Sequence, residues 1–429
     1  MKSSKITRRR FLQGAAAVSA VSQSSGYGYL LNESQSSPQP SSSKDNNSLV
    51  CIFMRGGADF LNILVPYGDK NYEANRPTLA MKLQDGLIKL DSTFGLHPSF
   101  APLESLYRAG KFAPIVCAGS HHRTRSHFDA QDWMEFGVPG DRTVREGWLN
   151  RYLSSTHKES HGVFRALATQ ELLPRSLRGT YPVLAVPQKV QQKKAGQNLD
   201  SFERFYGDSS EMMDHMMNGP AEDASGVVES GRITIETLRR YREIVGEASR
   251  RNKRNTISGS SYPSSKFGER MKQIALVLKA NEGLEVAGVD YGGWDDHTRQ
   301  GTVEGNMSDR LSDFARGLSA FCSDLGPALD RTTILVMTEF GRTVRENGNN
   351  GTDHGHGSGM LVIGGQVKGG QVHGDWTGLA EKDLYQGRGL AVTTDFRDVY
   401  YTVLANHFGH NTQKGFFGDY RPRELTSLY

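Results

Sequence analysis

The run Thr333-Ile-Leu-Val-Met-Thr338, followed directly by Glu339-Phe-Gly-Arg-Thr343, decides the fold class. Six residues that are nearly all apolar and rich in β-branched side chains read as a strand buried on both faces, the mark of a mostly parallel sheet covered by helices. The charges and glycine that follow cannot continue it. A carboxylate, Glu339, therefore stands at the strand's carboxyl end, where open α/β sheets place their ligands. Downstream, Gly351-Thr-Asp-His-Gly-His-Gly357 adds Asp353, His354 and His356 on a glycine-rich loop. Upstream, Gly292-Gly-Trp-Asp-Asp-His297 repeats the recipe with Asp295 and His297.

Two further strands end in reactive loops. Leu49-Val-Cys-Ile-Phe-Met54 runs into Arg55-Gly-Gly-Ala-Asp59-Phe-Leu-Asn62, and Phe112-Ala-Pro-Ile-Val-Cys-Ala118 runs into Gly119-Ser-His-His-Arg-Thr-Arg125. The second loop leads to a helix with Ser126 as N-cap and His127 behind it. Between the strands, residues 98–110 show amphipathic spacing and a terminal glycine, which predicts a helix and hence a right-handed parallel crossover. A further helix is expected near 271–280 and another over 398–407.

Carboxylate oxygens and imidazole nitrogens in one place suit hard or borderline divalent cations, with Zn, Mg and Ca all open. The candidate ligands are Asp59, Asp295, His297, Glu339, Asp353, His354 and His356. Two nearby cations neutralise an anionic group and activate an attacking oxygen. Ser126 is the candidate nucleophile and His127 its companion, while Arg125, Asn62 and Arg342 are candidates for holding an anionic substrate. Each has a plainer reading: an Asp after a strand is often a turn former, Ser126 a simple cap, and Asp295 with His297 a polar turn.

At 429 residues the chain has room for a large core, and its hydrophobic and charged fractions, 37% and 23%, are ordinary for a globular protein. The start, Thr7-Arg-Arg-Arg-Phe-Leu12 followed by a short apolar run, resembles a twin-arginine export signal over residues 1–20, with a basic arm for acidic partners as the alternative. That implies the twin-arginine translocase as a transient partner and a periplasmic or exported destination; the apolar run is too short for a stable membrane span. Taking the signal's five positive charges from the formal +4 leaves −1, so nothing in the remainder argues for nucleic acid. Residues 21–47 read as a polar tether, 48–429 as the folded domain, and 188–265 as a polar lid or peripheral insertion with a methionine-rich patch at 212–217. Cys51, Cys117 and Cys322 lack metal spacing and read as buried thiols.

Arg55-Gly-Gly-Ala-Asp59, Phe94-Gly-Leu-His-Pro98, Ser126-His-Phe-Asp129, Gly147-Trp-Leu-Asn-Arg151, Gly292–His297, Glu339–Thr343, Thr352–His356 and Thr394-Asp-Phe-Arg397 together resemble a twin-arginine-exported bacterial family known as domain of unknown function 1501. That family is similar in turn to the alkaline phosphatase and sulfatase superfamily. The resemblance implies an α/β sandwich with a central mixed sheet and two metals held from strand-end loops. Asp59 would match the first metal aspartate, Ser126 the nucleophile, Asp295 and His297 part of one metal set, and His354 or His356 the late histidine. Glu339-Phe340 departs from the pattern, standing where the superfamily has Asp-His. No cysteine lies in the Cys-x-Pro-Ser-Arg-like context of a formylglycine sulfatase. The implied function is an exported metal-dependent hydrolase acting on a small-molecule or polysaccharide phosphate or sulfate ester; the alternative is a non-catalytic periplasmic or surface binding protein on the same fold.

Overall fold

Side chains along the core strands alternate between two apolar layers, which fixes a sheet sandwiched by helices. On strand β1 (Ser48–Arg55), Leu49, Cys51 and Phe53 enter one cluster and Val50, Ile52 and Met54 the other. The computed structural model describes residues 47–156, 164–170, 172–186, 237–247 and 261–429. The export signal, the tether up to Asn46, the methionine-rich patch and most of 188–265 lie outside these residues. Within that insertion, 237–247 is helical, and Tyr241 and Ile244 are buried in the core.

Strand β2 spans Phe112–Gly119, β3 Ala166–Ala168, β4 Leu184–Ala185, β5 Val286–Gly292, β6 Thr332–Met337, β7 Ser358–Gly364 and β8 Thr394–Asp395. They form one sheet in the order β8-β2-β7-β6-β1-β5-β3-β4. Every neighbouring pair is parallel except those made by β7, which runs antiparallel to β2 and β6. The expected α/β class with a mostly parallel mixed sheet is therefore the one observed. Helices α1 (His127–Phe136), α2 (Trp148–Ser155) and α5 (Phe396–Phe408) pack on one face. Helices α3 (Lys266–Ala280) and α4 (Asn306–Leu325) pack on the other. Among the described residues, no helix is long and apolar enough to cross a membrane.

Two local expectations change. Residues 98–110 form not one α-helix but a 3-10 turn, Pro98–Leu103, followed by a short α-helix, Glu104–Arg108. Pro102 lies inside the turn, where it has no N–H to give an α-helical ladder. The crossover from β1 does lead to a parallel strand, but β6 and β7 lie between β1 and β2. The three cysteines are free and buried, and burial pushes their thiols up.

Residue His407 on α5 is buried with both nitrogens engaged. Its Nε2 donates to the Ser48 carbonyl at 2.9 Å and its Nδ1 lies 3.2 Å from Thr333 Oγ1. Burial, opposed by the Ser48 bond, lowers its pKa to about 4. A folded pKa below the unfolded value means that stability is complete above about pH 6.5 and is lost as pH falls toward 4, by roughly 3 kcal/mol for this one group. Denaturation midpoints of wild type and His407→Gln followed from pH 7 to 4.5 should diverge, the variant losing about one proton's worth of slope. Superimposable slopes would refute this assignment.

Candidate metal centre

All the reactive loops identified in the sequence leave the same edge of the sheet. β1, β2, β5 and β6 end there, and antiparallel β7 begins there, so the β6–β7 loop crosses that edge. Close backbone approach requires glycine at two points. A Cβ on Gly56, at φ +123°, would lie 2.8 Å from the Asp295 nitrogen, and one on Gly355 would lie 2.2 Å from the Arg342 carbonyl oxygen. The first contact presses the β1 and β5 loops together, and the second folds the β6–β7 loop on itself.

Three imidazoles and one carboxylate converge where they meet. Nε2 of His354 is 3.0 Å from Nε2 of His127 and 3.0 Å from Nε2 of His297, and 3.2 Å from Asp295 Oδ1. Asp295 Oδ1 is also 3.0 Å from His297 Nε2, and Oδ2 is 3.4 Å from His127 Nε2. The ligand atoms of His127, Asp295 and His354 all lie within 4.8 Å of one another. Metal–nitrogen bonds of about 2.0–2.1 Å in a tetrahedron put ligands roughly 3.3 Å apart, close to these spacings.

The Nδ1 atoms decide the tautomers. His127 Nδ1 faces Glu339 Oε1 at 2.8 Å, His297 Nδ1 faces Asp353 Oδ1 at 3.2 Å, and His354 Nδ1 faces the Arg125 carbonyl at 2.9 Å. Each partner is an acceptor, so each Nδ1 carries the proton and each Nε2 presents a lone pair to the others. Lone pairs at 3.0 Å repel unless a cation or proton lies between them, and an acceptor bonded to Nδ1–H is the usual backing of metal-bound histidine. The donor set thus fits a divalent cation.

Supporting charges are set by what surrounds them. Glu339 is buried; burial alone would lift its carboxyl, but hydrogen bonds from His127 and Gln131 hold it below the usual glutamate range. The Glu339 hydrogen bond in turn raises His127 against the effect of its own burial. Burial lowers His354. Asp295 is held low, against desolvation, chiefly by Arg342, whose Nη2 is 2.5 Å away. Phe340 packs its ring against His127 and His354, with centroids 4.8 and 5.0 Å away, and forms an apolar wall.

Of the residues singled out in the sequence, Asp295, His297 and His354 come together with His127. Glu339 and Asp353 stand one shell out, behind His127 and His297. Asp59 is buried in an ion pair with Arg76 at 2.5 Å, and Asn62 Oδ1 also accepts from Arg76. His356 lies apart, stacked on Tyr385 at 3.7 Å, and burial lowers it to about 4. Arg342 is a buried clamp on the carbonyls of Gly56, Gly57, Trp294 and Thr352. The Arg125 side chain meets Gln386 Oε1 at 2.8 Å. Ser126 is exposed and accepts from the Asp129 nitrogen at 3.5 Å as the α1 cap. Sequence reasoning passed over Gln131, whose Nε2 reaches Glu339 Oε1 at 2.8 Å and whose Oε1 takes Arg55 Nη1 at 3.0 Å. The signal was present, since residues 127 and 131 share a helix face at i,i+4.

Fold and geometry define an α/β protein with a His/His/His/Asp candidate metal centre at the carboxyl edge of its sheet. The family model described as Protein of unknown function (DUF1501) matches residues 46–415, and the chain belongs to that family. No curated protein matches it. Among solved structures it is similar to an alkaline phosphatase superfamily protein from Vibrio parahaemolyticus, at 10% identity and TM-score 0.41, covering 98% of this chain and 79% of that one. It is also similar to the phosphonate monoester hydrolase SpPMH from Silicibacter pomeroyi, at 11% identity, TM-score 0.35 and coverage of 89% and 76%. A third is the zinc complex of the C-terminal periplasmic domain of EcEptC from Escherichia coli, at 9% identity, TM-score 0.36 and coverage of 76% and 75%.

Proposed function

We propose that this protein is an exported metal-dependent hydrolase of a phosphate or sulfate ester. The observation that carries the reading is the convergence of three Nε2 lone pairs with Asp295 on a face open to solvent, where the His297 and Asp295 side chains are 41% and 44% exposed. A closed structural site would bury its ligands, whereas a reactive one leaves room for substrate. A divalent cation held by His127, Asp295, His297 and His354 would supply Lewis-acid stabilisation of charge on the ester oxygens. Zn suits this nitrogen-rich set better than Mg or Ca, which prefer all-oxygen ligands. The Arg125 guanidinium, bonded to Gln386 Oε1, is the cation we assign to anionic ester oxygens. Ser126, next in sequence to Arg125, whose carbonyl accepts from His354, and to His127, is the hydroxyl we assign as the nucleophile. Export rests on the Thr7-Arg-Arg-Arg-Phe-Leu12 motif.

The second reading, a metal-holding binding protein without turnover, is favoured by one contact: the Ser126 hydroxyl meets the Asp129 backbone nitrogen rather than a base. Mature protein loaded with Zn and offered aryl phosphate and sulfate esters separates the two. Turnover is expected, and Ser126→Ala should lower it by about 10²-fold while metal content, measured by elemental analysis, stays at the wild-type level. Metal-loaded protein inert to every ester leaves the binding protein, and metal-free protein removes both readings.

A further inference from the structure

The resemblance to the alkaline phosphatase superfamily implies two metals, and among the described residues the converging donors provide for one. We propose that the centre takes a single divalent cation and that the Arg76 guanidinium supplies the charge beside Asp59 that a second cation would otherwise bring. This rests on the metal-centre reading above.

Asp59 has no oxygen left for an ion. Its Oδ2 accepts from Arg76 Nη1 at 2.5 Å and Gln300 Nε2 at 2.7 Å, and its Oδ1 from Arg76 Nη2 at 3.0 Å and the Leu61 nitrogen at 3.3 Å. Gln300 cannot turn its amide round, because its Oε1 already accepts from Thr352 Oγ1 at 2.9 Å. Arg76 is equally complete. Nε donates to the Val344 carbonyl at 2.9 Å, Nη1 to Asp59 and Asn62, and Nη2 to Asp59 and the Thr343 carbonyl at 3.0 Å, which engages all five N–H groups. Both side chains are buried, at 0% and 3% exposure, so neither is available to solvent ions.

The pair adjoins the centre. Thr343, bonded to Arg76, follows Arg342, which clamps Asp295, and Thr352, bonded to Gln300, precedes Asp353 behind His297. Glu339, the other carboxylate that a second ion would need, has its Oε1 filled by Gly56 N, Gln131 Nε2 and His127 Nδ1, and its Oε2 lies 3.1 Å from Thr338 Oγ1, whose proton goes to the Met54 carbonyl at 2.7 Å. A carboxylate with both oxygens filled by donors that are themselves fixed, as in Asp59, has nothing to offer a metal.

The test counts ions per chain. Mature wild-type protein equilibrated with Co²⁺ and desalted should hold one ion by elemental analysis and saturate its visible bands at one equivalent. The double substitution Asp59→Asn with Arg76→Gln keeps a hydrogen-bonded neutral pair, and it should give the same count and the same affinity. Two ions in the wild type, falling to one in the double variant, would overturn the single-ion proposal and leave the His/Asp centre standing. No ion in the wild type would instead overturn the centre itself. One ion kept in His354→Ala but lost in the double variant would place it at Asp59 and refute both. Should the double variant not fold, the wild-type count alone decides between one ion and two.

Discussion

Replacing His354 with alanine weakens metal binding by about 10²-fold or more and leaves the metal-free fold intact. His354 Nε2 is the shared vertex of the centre, 3.0 Å from His127 Nε2, 3.0 Å from His297 Nε2 and 3.2 Å from Asp295 Oδ1. Apparent free energies for zinc in four-ligand protein sites run about 10–16 kcal/mol, so one ligand accounts for roughly 3 kcal/mol, or about 10²-fold in affinity. The metal-free protein loses the Nδ1 bond to the Arg125 carbonyl, about 1 kcal/mol. It also sheds the repulsion of an Nε2 lone pair facing two others, so its melting temperature should stay close to wild type. Competition titration against a chromophoric chelator measures the affinity, and calorimetry of the metal-free proteins measures the fold. Wild-type affinity in His354→Ala would mean that the three imidazoles do not share an ion.

How much of this centre can be read from sequence depends on the range of each interaction. Thr333–Thr338 announces its strand because burial on both faces leaves a purely apolar, β-branched run, and the observed strand is Thr332–Met337. Asp295 and His297 are legible because residues just past parallel strand ends share one edge, and His354 because it lies on a glycine-rich run in the loop after β6. The division between ligand and supporting carboxylate is not, because Glu339 follows its strand as closely as Asp295 does and Asp353 stands next to His354. Only the fold shows that their oxygens reach Nδ1 atoms. The partner of Asp59 is hidden for a related reason: it is Arg76, 17 residues away at the end of a short helix, with no local pattern to announce it. His356 shares a motif with His354, yet it stacks on Tyr385 away from the other imidazoles. The order of strands is hidden too, since β7 enters antiparallel between β2 and β6.

Glu339 tests whether the centre depends on the shell behind its ligands. The carboxylate is 1% exposed and accepts from Gly56 N at 2.9 Å, Gln131 Nε2 at 2.8 Å and His127 Nδ1 at 2.8 Å. In Glu339→Ala the Gly56 and Gln131 donors, and the His127 N–H, lose their acceptor in a buried site. At about 1–3 kcal/mol each the fold should lose roughly 3–9 kcal/mol. Glu339→Gln keeps the volume and one acceptor oxygen, so most of that stability returns. Metal affinity does not return: a neutral amide supports the His127 N–H less well than a carboxylate, and loss of such a partner typically weakens binding by about 10–100-fold. The pH dependence of the metal-free protein supplies a second check. Glu339 is depressed in the fold, so its contribution is present above about pH 4.3, the unfolded value, and is lost as pH falls through its lower folded pKa. Glu339→Gln lacks that titration and should lose stability less steeply below pH 4.3. A Glu339→Gln protein that folds, melts like wild type and binds Zn with wild-type affinity would show that His127 needs no carboxylate behind it. The case for Glu339 as the orienting group of the centre would then fail, although the three imidazoles themselves could still hold an ion.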